Sequence, residues 1–249
     1  MNESEVALVV GGGPGISASC ARLFSQQKMQ VAVAARDVEK AVLKALVRDY
    51  GVHLVACDAS DPESVSAMFE QVTRVLGAPS LVVHNIDGRP ADVFRKSITE
   101  VEPRAVRDTL MNSTFSAFLV GQQAAKSMLG AAGREGHKGT ILFTNASAAI
   151  KGYARSGAFA AASQGKAGLA QSMARELMPQ GIHVANIPID AAIGWEQPDG
   201  SRAHRLAGET VADNMAHPDH IAALYLQLHR QHKSTWAFEV VLRPWTENW

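Results

Sequence analysis

What most restricts the fold of this chain is an alternation. Seven short apolar runs, at residues 6–10, 31–35, 53–57, 81–84, 140–144, 183–189 and 237–242, are separated by longer segments with helical spacing. Several runs lack alternating polar residues, as expected of strands covered on both faces of a parallel sheet. Parallel neighbours need crossover connections, and the intervening segments are long enough to be helices. The clearest spans 61–76: Pro62 suits a first helical position, Val65, Met68, Phe69, Val72, Val75 and Leu76 form one stripe, and Gly77 can end it. Others are 39–50 closed by Gly51, a long segment within 103–129, 157–178 and 219–231. The pattern predicts an α/β protein: a doubly wound, seven-stranded parallel sheet with helices on both faces.

Composition narrows the class. At 249 residues, with 47% apolar and 19% charged residues, the chain suits one globular domain over 1–249 and excludes a disordered one. Lys+Arg and Asp+Glu both total 24 and no basic stripe stands out, so nucleic acid is not expected as a partner. No apolar run approaches the ~20 residues of a membrane span. The first five residues hold two acids and no basic cluster, unlike a secretion signal. Cys20 and Cys57 have neither CxxC nor zinc spacing, so two buried free thiols and a reducing cytoplasm are expected. His217-x-x-His220 and His229-x-x-His232 lack a nearby third ligand, and no metal site is expected. Polar, Gly- and Pro-containing residues 190–217 read as a loop that could cover a substrate.

After the first run comes Gly11-Gly12-Gly13-Pro14-Gly15-Ile16-Ser17, which opens a segment bearing Ile16, Cys20, Leu23 and Phe24 on one side. Glycines between a strand and a helix let the backbone turn tightly and approach a pyrophosphate, which then lies on the helix's unpaired N–H groups. This Rossmann-like context makes Gly11, Gly13, Gly15, Ile16 and Ser17 candidate dinucleotide-binding residues.

These motifs resemble the short-chain dehydrogenase/reductase family. Its Thr-Gly-x-x-x-Gly-x-Gly pattern falls on Val10, Gly11, Gly15 and Ser17, and its aspartate after the third strand on Asp58, followed by Ala59. Gln171–Leu177, Gly181–Val184 and Pro218–Ala222 are similar to the end of its active-site helix, its sixth strand and its last helix. The resemblance implies a carbonyl/alcohol oxidoreductase acting on a small molecule, assembled as a homodimer or homotetramer through 103–129 and 157–178. It also implies that the residue ending the second strand selects the cofactor. Ala35 stands there with Arg36 next, and a guanidinium without a carboxylate favours NADP(H). Asn85, in His84-Asn85-Ile86-Asp87, falls in the motif after the fourth strand.

The catalytic motifs depart from the family. Counting back from Ala174-Arg175-Glu176 puts Phe159 at the tyrosine position and Ser163 at the lysine position; neither can titrate as the family's pair does. The serine position falls on Ala146, with Ser147 one residue on, and the asparagine position on Ser113 beside Asn112. Ser17 replaces the third glycine. Two substitutes are available: Tyr153, six residues before Phe159, and Lys166, three after Ser163 and near the same helical face. Ser147, Tyr153, Phe159, Ser163 and Lys166 are therefore the candidate catalytic positions. A different chemistry, non-redox lyase or isomerase, would use His84 with Asp87 and Asp190 at the strand ends; a non-catalytic nucleotide- or partner-binding subunit is the remaining alternative. The family resemblance also implies Trp195, and Arg202 or Arg205, as lining groups of the substrate pocket under residues 190–217.

Overall fold

In a computed structural model, residues 5–133, 135–196, 202–203 and 215–248 are described. The order is β1 (Val6–Val10), α1 (Ile16–Gln26), β2 (Gln30–Ala35), α2 (Ala41–Tyr50), β3 (His53–Ala56), α3 (Pro62–Leu76) and β4 (Leu81–His84). There follow α4 (Pro103–Leu110), α5 (Ser116–Leu129), β5 (Gly139–Ala146), α6 (Gly157–Leu177), β6 (Ile182–Ile189), the two-residue strands β7 (Trp195–Glu196) and β8 (Arg202–Ala203), and α7 (Pro218–His229).

Side chains alternate across each strand, and both faces are apolar. Val6, Leu8 and Val10 of β1 pack with α3, α5 and α6, whereas Ala7 and Val9 pack with α1, α2 and α7. At ~1.5–3 kcal/mol for each buried large apolar side chain, these two layers are the main source of stability. Local signals fix the helix ends: the Asp61 carboxylate accepts from the N–H groups of Glu63 and Ser64, with Pro62 at the first turn of α3. Cys20 and Cys57 are buried and unbridged.

The strands are parallel in the order β3-β2-β1-β4-β5-β6, so the sheet has six strands and not the expected seven. The seventh run, 237–242, does lie beside β6. Asn186 N–H donates to Phe238 O, Val240 N–H to Asn186 O, Leu242 N–H to Pro188 O and Asp190 N–H to Leu242 O, at 2.8–3.2 Å. Pro188 has no N–H for the Val240 carbonyl, and the missing rung reduces the pairing to two isolated bridges.

The segment within 103–129 is likewise subdivided. A π-helical stretch, Met111–Phe115, separates α4 from α5 and includes Asn112 and Ser113. Such insertions recur at functional sites. Among the described residues no helix is long and apolar enough to cross a membrane.

Candidate active site

Strand order reverses between β1 and β4, and the loops leaving their carboxyl ends diverge there, the place where open α/β sheets bind ligands. Two clefts meet at this point. One of about 550 Å³ is lined by Gly11, Arg36, Asp58 and Ala59. The other, about 790 Å³, is lined by Gly13, Gly15, Ile16, Ser17, Ser147, Tyr153, Phe159, Ser163 and Lys166. Asn85, Ile86, Asp87 and Arg89 border both.

The glycine loop is built from its backbone. The N–H groups of Gly11 and Gly12 both donate to Ala34 O at 2.9 Å, closing the turn against β2. Gly11 has φ +108°, and a Cβ there would lie 2.3 Å from the Asn85 carbonyl oxygen, so glycine is required. A Cβ on Gly13 would meet nothing within 4 Å. Gly15 caps α1 without a side-chain hydrogen bond, which leaves the first helical N–H groups available to an anion. Ser17 braces this loop: Asn85 Nδ2 donates to Ser17 Oγ at 2.7 Å, and Ser17 Oγ donates to Gly11 O at 2.7 Å. Arg36 is exposed, and its charge helps to hold the Asp58 carboxyl low after the larger effect of hydrogen bonds from Ser60.

Lys166 is the buried cation of the larger cleft. Its side chain rises from α6 between β4 and β5, donating to Ile86 O at 2.8 Å and Thr144 O at 3.3 Å. Burial pushes its pKa down to about 8, against a smaller opposing pull from Asp87. Ser163, one turn earlier, is also buried, and its carbonyl accepts from Asn145 Nδ2 at 3.0 Å. Ser147 follows the end of β5 at the cleft wall. The Phe159 ring lies under the Arg89 guanidinium, 3.7 Å from carbon to centroid, while Arg89 makes a two-bond fork on Asp87 at 2.6 and 2.7 Å.

The other candidates are placed differently. His84 is fully buried and does not line either cleft. Ser116 Oγ donates to Asn112 O at 2.6 Å, so His84 Nε2 donates to Ser116 Oγ at 2.9 Å and Nδ1 is left without a partner. Burial first, and the Lys166 ammonium second, hold its pKa well below the ordinary value. Asp190 is committed elsewhere: Lys151 Nζ is 2.7 Å and Arg243 Nε 2.9 Å from its carboxylate. Burial raises its pKa, but those two cations outweigh burial and the net shift is downward. Tyr153 directs its hydroxyl to Asp190 at 3.4 Å, and no hydrogen bond joins it to Lys166. The proposed His84–Asp190 acid–base pair therefore does not form. The Trp195 side chain and Arg205 lie outside the described residues, as does most of 190–217.

With that geometry in place, the sequence pattern of the family described as enoyl-(acyl carrier protein) reductase matches residues 11–239. The chain belongs to the short-chain dehydrogenase/reductase family. It is 30% identical over 200 residues to a 3-oxoacyl-[acyl-carrier-protein] reductase, MabA, of Mycobacterium bovis, covering 80% of this chain and 72% of that one. It is also similar to the crystal structure of a short-chain dehydrogenase from Rhodopseudomonas palustris, with a TM-score of 0.77, 30% identity and coverage of 97% and 99%. A metagenomic short-chain oxidoreductase solved with NADP shares the fold, with a TM-score of 0.76, 24% identity and coverage of 96% and 97%.

The family implies a dinucleotide, and the residues fit one: an uncapped α1, open space in front of Gly13 and a continuous pair of clefts across the switch point. Sequence reasoning missed the arginines of this short-chain dehydrogenase/reductase. Arg89, Arg95 and Arg155 line the larger cleft, and no motif or periodicity in the chain marks them.

Proposed function

We propose that the protein is an NADP(H)-dependent oxidoreductase that interconverts a small-molecule carbonyl and its alcohol, with Phe159 and Ser163 at the family's tyrosine and lysine positions. The observation that carries this reading is Lys166 Nζ in the larger cleft, hydrogen-bonded to two carbonyls and so left with one N–H to direct elsewhere.

Bound NADPH would supply the hydride, which together with one proton converts C=O to CH–OH and leaves NADP⁺. The first turn of α1 and the glycine loop bind the pyrophosphate through backbone N–H groups. Arg36 pairs with a 2′-phosphate, and Ala35 offers no carboxylate to repel it. Ser147 Oγ orients the carbonyl oxygen by donating a hydrogen bond. Lys166 Nζ holds the proton delivered to that oxygen. A group with a pKa of about 8 is charged at neutral pH yet gives up its proton at small cost, as general acid catalysis requires. Exposed Leu110, Met111, Phe118 and Leu129 on α4, the π-helical stretch and α5 support a homodimer or homotetramer joined through these helices, and two unbridged thiols suit a reducing cytoplasm.

Calorimetric titration of nucleotide-free protein with NADPH and NADH tests the cofactor, and NADPH consumption across a panel of ketones and aldehydes tests the reaction. Tight NADPH binding, weaker NADH binding and turnover of panel members are expected. Absence of heat with either nucleotide overturns the reading.

A further inference from the structure

The larger cleft carries unbalanced positive charge among its described lining residues. Arg89, Arg95, Arg155 and Lys166 line it against, among the described residues, a single carboxylate, Asp87, which already holds the Arg89 fork. Among the described residues neither Arg95 nor Arg155 has an ion pair or a hydrogen bond; Arg95 lies 5.4 Å from the Phe94 ring centroid. Both have left-handed backbone, φ +56° and +61°, and they are two of only four non-glycine residues of that kind among the described residues. Such conformations persist where surrounding structure imposes them and cluster at ligand sites.

Packing brings the two segments to one place. Val93 and Ala158 share a small apolar cluster, and Ile98 Cδ1 is 3.2 Å from where a Gly157 Cβ would be. The 93–98 segment thus lies against the start of α6, which places Arg95 and Arg155 on one wall with Phe94 and Phe159. The glycine loop and the uncapped end of α1 already provide a seat for phosphates elsewhere in the same cleft.

We propose that the reactant is a carbonyl compound that carries a carboxylate, bound by Arg155 and Arg95, with its apolar body against Phe94 and Phe159. This inference rests on the carbonyl-oxidoreductase reading for the reaction but on the arginine wall for the anion.

The test uses phenylglyoxylate and phenylglyoxylamide, which share ring and ketone and differ in one negative charge. Each is titrated into the full-length protein with and without saturating NADP⁺. The acid is expected to bind at least roughly tenfold more tightly than the amide, the worth of one or two charge-assisted hydrogen bonds. Arg155→Met and Arg95→Met are each expected to weaken the acid by roughly tenfold and to leave the amide and NADPH unchanged. Arg155→Gly, which tolerates positive φ, serves where the methionine variant does not fold. Equal affinities, no binding of the acid below about 10 mM, or a preference that survives the double methionine variant overturns the proposal. Weaker NADPH binding in the variants with no loss of acid preference also overturns it, by giving the arginines to the cofactor. If NADPH fails to bind, the oxidoreductase reading falls while the acid titration still decides the anion site.

Discussion

The two clefts at the switch point are built from different materials. The smaller cleft and the glycine loop rely on backbone: Gly11 and Gly12 N–H groups on Ala34 O, the unpaired first turn of α1 and a positive φ at Gly11. The larger cleft relies on side chains, namely Lys166, Ser147, the Arg89–Asp87 fork and the Phe159 ring. Phosphate recognition through main-chain N–H groups tolerates substitution of neighbouring side chains, so Ser17 can replace a glycine and become a brace. Proton transfer tolerates no such exchange, because one atom must hold the proton. In the proposed reading, which puts Phe159 at the tyrosine position, that atom is Lys166 Nζ on the same helix.

The sharpest way to break that contrast is Lys166→Met. Carbonyl reduction is expected to fall by roughly 10²–10⁴-fold while NADPH affinity stays within a few fold, read as kcat/KM and by calorimetry. The pH profile gives a second readout. The acid form is required for reduction, so the rate should be flat below about pH 8 and fall above it in the wild type. Linkage has the opposite sign for stability. A lysine whose pKa is lowered by folding binds fewer protons folded than unfolded between about 8 and 10.5, so stability should rise with pH in that window. Urea melts of the methionine variant should lack the rise. A rate unchanged by the substitution would mean that Lys166 only supports the fold.

Asp190→Asn probes the other half of the comparison, since this carboxylate was a candidate acid–base group in the sequence but ties Arg243 of the tail to Lys151, four residues after Ser147. Breaking it removes the carboxylate shared by two cations, each about a quarter exposed, while Glu247 stays 3.6 Å from Lys151; a loss of about 2–3 kcal/mol is expected after allowing for solvent screening. Its folded pKa is depressed, so the wild type should lose this contribution as pH falls through and below the ordinary carboxylate range. In urea melts the two proteins should differ less at pH 3 than at pH 7.

Much of the fold was legible because its signals are local. Apolar runs, Asp61-Pro62 at a helix start and Gly51 and Gly77 at helix ends each act within a few residues. The strand count failed because the broken rung depends on Pro188, which lies on the neighbouring strand and not in the run it interrupts. In the site, the glycine turn and the uncapped start of α1 could be read from contiguous residues 11–17. The Arg89–Phe159 stack spans 70 positions and the Asp190 clamp more than 35 on either side, and neither leaves a spacing to recognise. His84 looked like a proton carrier by its place at a strand end, but burial with Ser116 keeps it neutral and away from the cleft.

Arg36→Ala returns to the backbone-built side, where one side chain is expected to matter only for the choice of nucleotide. NADPH affinity should fall by roughly tenfold with NADH affinity unchanged, because a single charge-assisted contact to the 2′-phosphate is removed. Equal losses for both nucleotides would instead assign Arg36 to the adenosine or to the loop itself.

The smallest effect, and the finest test of a backbone-built site, is Gly13→Ala. A Cβ there meets no protein atom within 4 Å, and Gly13 is not among the glycines with positive φ. Alanine restricts the unfolded chain more than glycine does, so the nucleotide-free protein should gain about 0.4–1 kcal/mol, or roughly 1–4 °C in Tm. The same methyl group would stand in front of the first turn of α1, where the pyrophosphate must approach the N–H groups, and NADPH should bind several-fold more weakly. Stability and binding should therefore move in opposite directions on adding one carbon. If both are unchanged, the phosphates do not come to this loop, and the contrast between a backbone-built and a side-chain-built cleft loses its first half.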